Sequence, residues 1–480
     1  MFDTAVFARS TPRWAIGFAG ILTAITPLMG FAQAETNYQR ILSTGPTSAN
    51  GSFPRGQLLE GQDGFLYGTT YAGGSNNLGT VFKVAKNGAH FSLLHSFNDG
   101  DFPYAGVVQG SNGTLFGTTS GGGTNNGGTL YRINPDGTGF SVLVNFGVTN
   151  GDAVAPAAGL AQGADGALYG TASNGGTNNL GAIFKINQDG GNYSLLYSFG
   201  STSGDGTLPF GALVQGRDGA LYGTTQSGGT SNLGTVFKLN PDGSGYQILH
   251  NFTGPAADGR LPLGTLVQGA DDFLYGTTYY GGTNDLGAIF KIDTNGNNYA
   301  VLRSFAAGQD GSQPVAGLAR GTDGALYGST RYGGSADSGF VFKLNGDGSG
   351  FTVLHVFSQL TSDGAQSFAP LLLGSDGALY GTTFYGGSFS TNGANGTVFR
   401  LFPFPPAITI TAITLSPTGT SLTFVGGAAG QTYSIQAAPD PVLGPWQTIG
   451  SRVAAIDGTF AFIDPASPVQ TTRFYRTSLP

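Results

Sequence analysis

The stretch Gly216 to Phe252, GRDGALYGTTQSGGTSNLGTVFKLNPDGSGYQILHNF, recurs along the chain at near-constant spacing, and that recurrence decides the fold. The aromatic residue before its first in-strand glycine falls at Tyr67, Phe116, Tyr169, Tyr222, Tyr275, Tyr327 and Tyr380, in steps of 49, 53, 53, 53, 52 and 53 residues. Each copy holds four short segments rich in β-branched and aromatic residues. In the fourth copy these are Gly211 to Gln215, Ala220 to Thr225, Thr235 to Leu239 and Tyr246 to Phe252, parted by Gly, Asn, Asp and Pro. The first connection is an Asp-Gly or Asn-Gly pair such as Asp218-Gly219, with Asp271-Asp272 the exception. Glycine there supplies the positive φ of a tight hairpin. Four strands repeated seven times predict an all-β chain and a seven-bladed β-propeller, because one four-stranded sheet cannot bury both faces alone while a ring of them can. The in-strand glycines, Gly68 through Gly381, predict close approach by another backbone or sheet.

The two ends of the array fit each other. The seventh copy breaks into Phe402-Pro403-Phe404-Pro405-Pro406 before a fourth strand, and Asn37-Tyr38-Gln39-Arg40-Ile41-Leu42-Ser43 matches Gly245-Tyr246-Gln247-Ile248-Leu249. The N-terminal segment is therefore expected to complete the last blade and close the ring, which removes a free sheet edge.

The run Asp-Gly-x-Leu-Tyr-Gly-Thr-Thr-x-x-Gly-Gly at Asp218 to Gly229, followed by Gly-Thr-Val-Phe-Lys at Gly234 to Lys238, resembles the bacterial tandem-repeat family called GloVer. The resemblance covers about Tyr38 to Leu401. It implies an exported, cell-surface or secreted protein and brings no established activity and no catalytic residue. The family's usual anchors, a terminal hydrophobic helix with a basic tail or a sortase-type motif, do not appear in this sequence.

With 84 glycines in 480 residues and only 10% charged residues, the composition suits a large glycine-turned β protein, and the length allows a sizeable core. The formal net charge of -7 gives no basic footprint for nucleic acid. Cysteine is absent, which excludes disulfides and thiolate metal or redox sites. Residues 1–34 read as a signal peptide: Arg9 and Arg13 precede an apolar run from Trp14 to Phe31, and Ala32-Gln33-Ala34 offers a cleavage site. Cleavage would leave no stable membrane insertion; an uncleaved N-terminal anchor is the alternative. Residues 35–401 form the propeller and 402–407 a proline-rich linker. Residues 408–480, with short strands and core candidates Ile435, Trp446 and Phe474, predict a small Ig-like or fibronectin-like β-sandwich.

The loops from the fourth strand to the next first strand, and from the second strand to the third, share one face of a propeller. That face is the expected binding face. Two features fall on it. Asn50, Asp99, Asp152, Asp205, Asp258, Asp310 and Asp363 each stand four residues before a proline, or before Ser367 in the last copy. Such a ring could bind a glycan or a cation, calcium being the candidate, or each acid could cap its own turn. The second feature breaks the symmetry. After the Gly-Thr-Thr segment come Tyr71, Tyr279-Tyr280, Arg331-Tyr332 and Phe384-Tyr385, whereas copies two to four carry small polar residues. Aromatics thus occupy blades five, six, seven and one, which are contiguous in a closed ring. They suit sugar stacking, or they complete the packing between blades. The periodic base of the third strand, Lys83 through Arg400, reads as a structural ladder. His95, His250 and His355 occupy equivalent outer positions too far apart for one metal. No nucleophile and base pair, His-Glu-x-x-His or phosphate-cradling motif is present, and no cofactor is implied.

These features point to an exported non-catalytic recognition or surface-interaction module, its partner an extracellular glycan or another surface protein. A polysaccharide lyase or glycosidase and a structural cell-envelope spacer are the alternatives, since propellers host many functions.

Overall fold

The computed structural model describes residues 38–45, 50–98, 102–254, 258–306, 308–358, 363–387 and 395–403, and the strands 409–416, 419–425, 432–438, 447–453, 460–464 and 474–478. Residues 1–34, Asp99 and Trp446 lie outside the described residues. The repeats, Tyr38–Gly374 with Ala378–Leu401, form one compact unit, and the strands beyond Phe402 belong to another.

The larger unit is a seven-bladed β-propeller. In the fourth blade the strands run outward as Val214–Gln215, Leu221–Thr225, Thr235–Leu239 and Gln247–Asn251, all antiparallel, and the other blades repeat the order. The in-strand glycine is required by a side chain rather than by another backbone. A Cβ placed on Gly223 would lie 2.5 Å from Cζ of Phe237, whose buried ring folds over the glycine from the neighbouring strand. The tyrosine beside it has its own partner. Tyr222 donates its hydroxyl to the turn carboxylate of Asp218 at 2.5 Å, and the bond recurs between Tyr67 and Asp63, Tyr169 and Asp165, Tyr275 and Asp271, and Tyr327 and Asp323. Blade two replaces both partners at once, with Phe116 facing a turn that carries Asn112. Phe116 has no hydroxyl to need that carboxylate. The exceptional turn keeps Asp271 as acceptor and places Asp272 at φ 65, a conformation that Asp tolerates better than most residues.

Neighbouring blades are tied at two radii. Near the axis, Thr69, Thr118, Thr171, Thr224 and Thr277 each donate to a backbone carbonyl of the next blade at 2.8 to 3.4 Å. At the rim, a ring of one blade stacks on a side chain of the blade before it. Phe140 lies on His95 at 3.6 Å, Tyr246 on Tyr197 at 3.8 Å and Tyr299 on His250 at 3.7 Å, while Arg303 sits 3.5 Å above Phe351. Buried carboxylates complete these clamps. Asp205 accepts from the hydroxyls of Tyr197 and Tyr246 and from the amides of Gly200 and Gly206. Asp258 accepts from His250, Tyr299 and the amides of Thr253 and Gly259.

The last blade is closed by the start of the chain. Tyr38–Ser43 pairs antiparallel with Thr397–Leu401, from Tyr38 opposite Leu401 to Ser43 opposite Thr397. Its register shifts between Arg40 and Leu42, as the register of the other outer strands shifts at the equivalent step. Tyr38 stacks on His355 at 3.7 Å, the same clamp as Tyr299 on His250. Burial, and then the nearby Asp363 carboxylate, hold the Tyr38 phenol well above its ordinary value.

The C-terminal unit contains two three-stranded antiparallel sheets. One orders Thr409–Ser416, Gly419–Val425 and Phe460–Asp464; the other orders Gln447–Val453, Thr432–Ala438 and Phe474–Ser478. Leu422, Phe424 and Phe462 of the first share an apolar cluster with Tyr433, Ile435 and Tyr475 of the second. Tyr475 also donates to Asp464 at 3.0 Å across them.

Two outcomes are expected. Tyr38→Ala should lower the unfolding free energy of the full chain by about 3 kcal/mol, the usual cost of deleting a large packed ring, as measured by denaturant titration. An unchanged midpoint would show that the latch does not hold the ring shut. Asp258 gives a pH signature. Burial acts to raise its carboxyl, but the His250, Tyr299 and Thr253 donors outweigh burial and bring it down to about 2. A carboxylate held below its unfolded value stabilises the fold above about pH 4, and that contribution is lost as pH falls toward 2. Asp258→Asn should therefore remove about 2 kcal/mol at neutral pH and flatten the stability profile between about pH 4 and 2. A variant profile parallel to the parent's would locate the acid sensitivity elsewhere.

Candidate functional site

Each blade sends two segments to one face of the ring, and they lie side by side. In the fourth blade Gly206–Thr207 pairs with Ser227–Gly228, and blades three, five and seven show the same small ladder. The first segment then passes a proline and descends to the inner strand. The residue after that proline, or after Ser367, is Arg55, Tyr104, Ala157, Phe210, Leu263, Val315 or Phe368, and all seven line a central cavity of about 310 Å³. Below them the wall is built mainly of small residues, among them Gly56, Ala105, Gly159, Gly264 and Gly317. Close approach at the axis forces part of this choice: a Cβ on Gly106 would meet the Gln57 carbonyl oxygen at 1.9 Å, and one on Gly56 or Gly317 a neighbouring backbone atom at 2.3 or 2.4 Å. Bulk is therefore confined to the mouth.

The mouth is lopsided. On the side of blades five, six, seven, one and two, side chains touch in an unbroken line. Tyr280 meets Tyr279 edge to face at 4.4 Å, and Tyr279 accepts from Arg331 Nη1 at 3.0 Å. Arg331 lies over the Tyr332 ring at 4.8 Å and the Phe368 ring at 5.0 Å. Phe368 meets Phe384 at 5.3 Å, and Phe384 in turn packs on Tyr385 and Phe53. Arg55 covers Phe368 at 5.0 Å and Tyr104 at 4.4 Å; Tyr104 meets Tyr71, which stacks on Phe102. At the position of Tyr71 and Tyr279, blades two to four offer Ser120, Ser173 and Gln226 instead. Tyr385 is 44% exposed, the most open of these rings among the described large hydrophobics. Gln313 reaches the Tyr280 hydroxyl with Nε2 at 3.4 Å, while its own buried Oε1 has no partner among the described residues.

The ring of acids is placed differently. Asp152, Asp205, Asp258 and Asp363 are buried in the rim clamps, each accepting hydrogen bonds from its own loop and, for the first three, a phenol of the next blade. Asp310 ends a 3-10 turn and pairs with Arg303. Their lone pairs serve the blades, and none lines the central cavity. The third-strand bases serve the blades too: Lys185 pairs with Asp165 and Lys343 with Asp323, each at 2.8 Å. Among the described residues no group of three or more His, Asp or Glu is arranged to hold a metal ion.

Of the sequence-derived candidates, the structure brings Tyr71, Tyr279, Tyr280, Arg331, Tyr332, Phe384 and Tyr385 into the one connected sector. It adds Arg55, Tyr104 and Phe368, which sequence reasoning missed. A signal was present, since the residue after the repeat proline varies from Arg to Ala to Phe while its neighbours stay nearly constant.

A model of the Gloeobacter/Verrucomicrobia repeat matches residues 20–155, 53–271, 144–328 and 254–433. No curated protein matches the sequence. Among solved structures the chain is similar to an oligogalacturonate lyase in complex with manganese, at 12% identity over 77% of this chain and 95% of that one, with a TM-score of 0.48. It is also similar to a candidate 6-phosphogluconolactonase from Bacteroides uniformis, at 16% identity over 62% and 83% of the two chains, with a TM-score of 0.43. Overlapping tandem matches across most of its length, on a scaffold of seven repeated blades, make this chain a member of the Gloeobacter/Verrucomicrobia repeat family.

Proposed function

We propose that this protein is an exported, non-catalytic recognition protein that holds an extracellular saccharide across the aromatic sector at the mouth of its propeller. The observation that carries this reading is the unbroken line of contacting rings and guanidiniums from Tyr280 to Phe102, confined to one side of a seven-fold scaffold. Packing between blades is already served by elements repeated around the ring, so a feature present on one side only has another use. Pyranose rings present apolar faces edged by hydroxyls, and the sector supplies both complements. Tyr385 and its neighbours offer ring faces. The Tyr279 and Tyr280 hydroxyls offer polar tips. Export rests on the Arg9, Arg13, apolar-run and Ala32-Gln33-Ala34 sequence.

The test is a glycan array with the secreted form, run with and without calcium. Binding of one glycan class without product release is the expected result. New reducing ends or unsaturated products would instead assign a glycosidase or lyase, and no retained glycan would leave a protein partner or a spacer role. The double variant Tyr280→Ala with Tyr385→Ala should weaken retention by about tenfold or more, as removal of two stacking platforms implies. Its melting temperature should stay close to that of the parent. Loss of stability with unchanged retention would assign these rings to packing.

A further inference from the structure

Arg55 and Arg331 come from blades one and six, yet both lie over the ring of Phe368, each with its guanidinium carbon 5.0 Å from the ring centroid. Neither has a carboxylate partner among the described residues. Arg260, Arg303 and Arg217 all meet an aspartate, and Arg260, stacked on Tyr280 at the edge of the same sector, is neutralised by Asp285 through two hydrogen bonds. Burial lowers the Arg55 guanidinium from its ordinary value; the Tyr104 and Tyr71 hydroxyls oppose that shift, and the charge of Arg331 adds to it. Two like charges are thus held against one ring, Phe368, which together with Arg55 lines a central cavity that no acidic side chain lines, in a chain whose net charge is -7. Arg331 spends Nε on Gln366 and Nη1 on Tyr279, leaving Nη2 uncommitted by the bonds described, and no hydrogen bond is described for Arg55.

We propose that Arg55 and Arg331 form an anion-binding pair at the mouth of the central cavity, and that it takes the carboxylate of an acidic sugar, a hexuronate, whose ring lies on the neighbouring aromatics. The inference rests on the saccharide reading and narrows it. A guanidinium presents a planar fork that matches a carboxylate, and an anion between two forks relieves the repulsion that holds them at a cost. Stacking on Phe368 and Tyr104 fixes both forks before a ligand arrives, so less side-chain freedom is lost on binding.

Titration calorimetry on the full secreted chain tests this with tetrasaccharides of galacturonate, mannuronate and glucuronate, each beside the same sugar with its carboxyls reduced to alcohols. One acid form should bind at least about tenfold more tightly than its neutral counterpart and weaken as salt is raised. Arg55→Gln and Arg331→Gln should each weaken it by about ten- to a hundredfold, as loss of charge-assisted hydrogen bonds implies. Arg55→Lys and Arg331→Lys keep the charge without the fork and provide a second pair if either glutamine variant fails to fold; they should fall between. Arg217→Ala, which removes an exposed charge paired with Asp272, should change nothing. Equal binding of acid and neutral forms, unaltered by the arginine variants, would overturn the anion pair and leave the saccharide reading standing. Binding of neither form would overturn both. A site that responds to sulfate or acetate but to no sugar would also overturn the proposal.

Discussion

A four-stranded sheet with two apolar faces is stable only between neighbours, and a ring of such sheets has no loose end only if its last member is complete. Everything else in this propeller depends on that closure. The third strand of the last blade, Thr397–Leu401, would present an open edge were it not covered by Tyr38–Ser43. The borrowed strand does more than fill space. It reproduces the register shift of the other outer strands, and Tyr38 reproduces the stacked clamp that joins one blade to the next. The borrowed strand is therefore held by the same kind of stacked pair that joins blades one to two, three to four and four to five.

Repetition separates what builds the molecule from what it can do. Features present in nearly every blade find structural partners: the turn aspartate accepts from the strand tyrosine, the glycine makes room for the phenylalanine, and the inner threonine reaches the next blade. Residues that differ between equivalent positions gather at the mouth of the central cavity. The scaffold's symmetry supplies seven equal places there, and the sequence joins those on one side into a continuous line of rings and arginines while the other side carries Ala157, Ser173 and a single ring, Phe210.

The fold was largely legible from the chain because its signals are local and repeated sevenfold. Spacing, paired turn residues and the missing fourth strand after Leu401 each pointed to a closed ring, and the pairing of Tyr38–Ser43 agrees. The partner of the in-strand glycine was misjudged. Composition indicates that a Cβ is unwelcome, but only coordinates show that Phe237, fourteen positions on, occupies the space above Gly223. The candidate site was half legible. Tyr71, Tyr279 and Phe384 stood out because they follow an unmistakable Gly-Thr-Thr segment, and Arg331 because it follows the equivalent Gly-Ser-Thr. Arg55 and Tyr104 follow the repeat proline and Phe368 follows Ser367, positions that vary from blade to blade, and their meeting with the others depends on how the segments from adjacent blades cross at the axis.

The latch also fixes an order of events. Tyr38 and its partner Leu401 stand at opposite ends of the array, so the strand of the propeller that is synthesised first is the last that can be seated. Six blades can assemble from contacts between neighbours in the chain, while the seventh must wait for a segment that has been held unpaired throughout. Contacts so distant in sequence are slow to form, and the interval before they form is when a stray edge on another molecule competes for the same place.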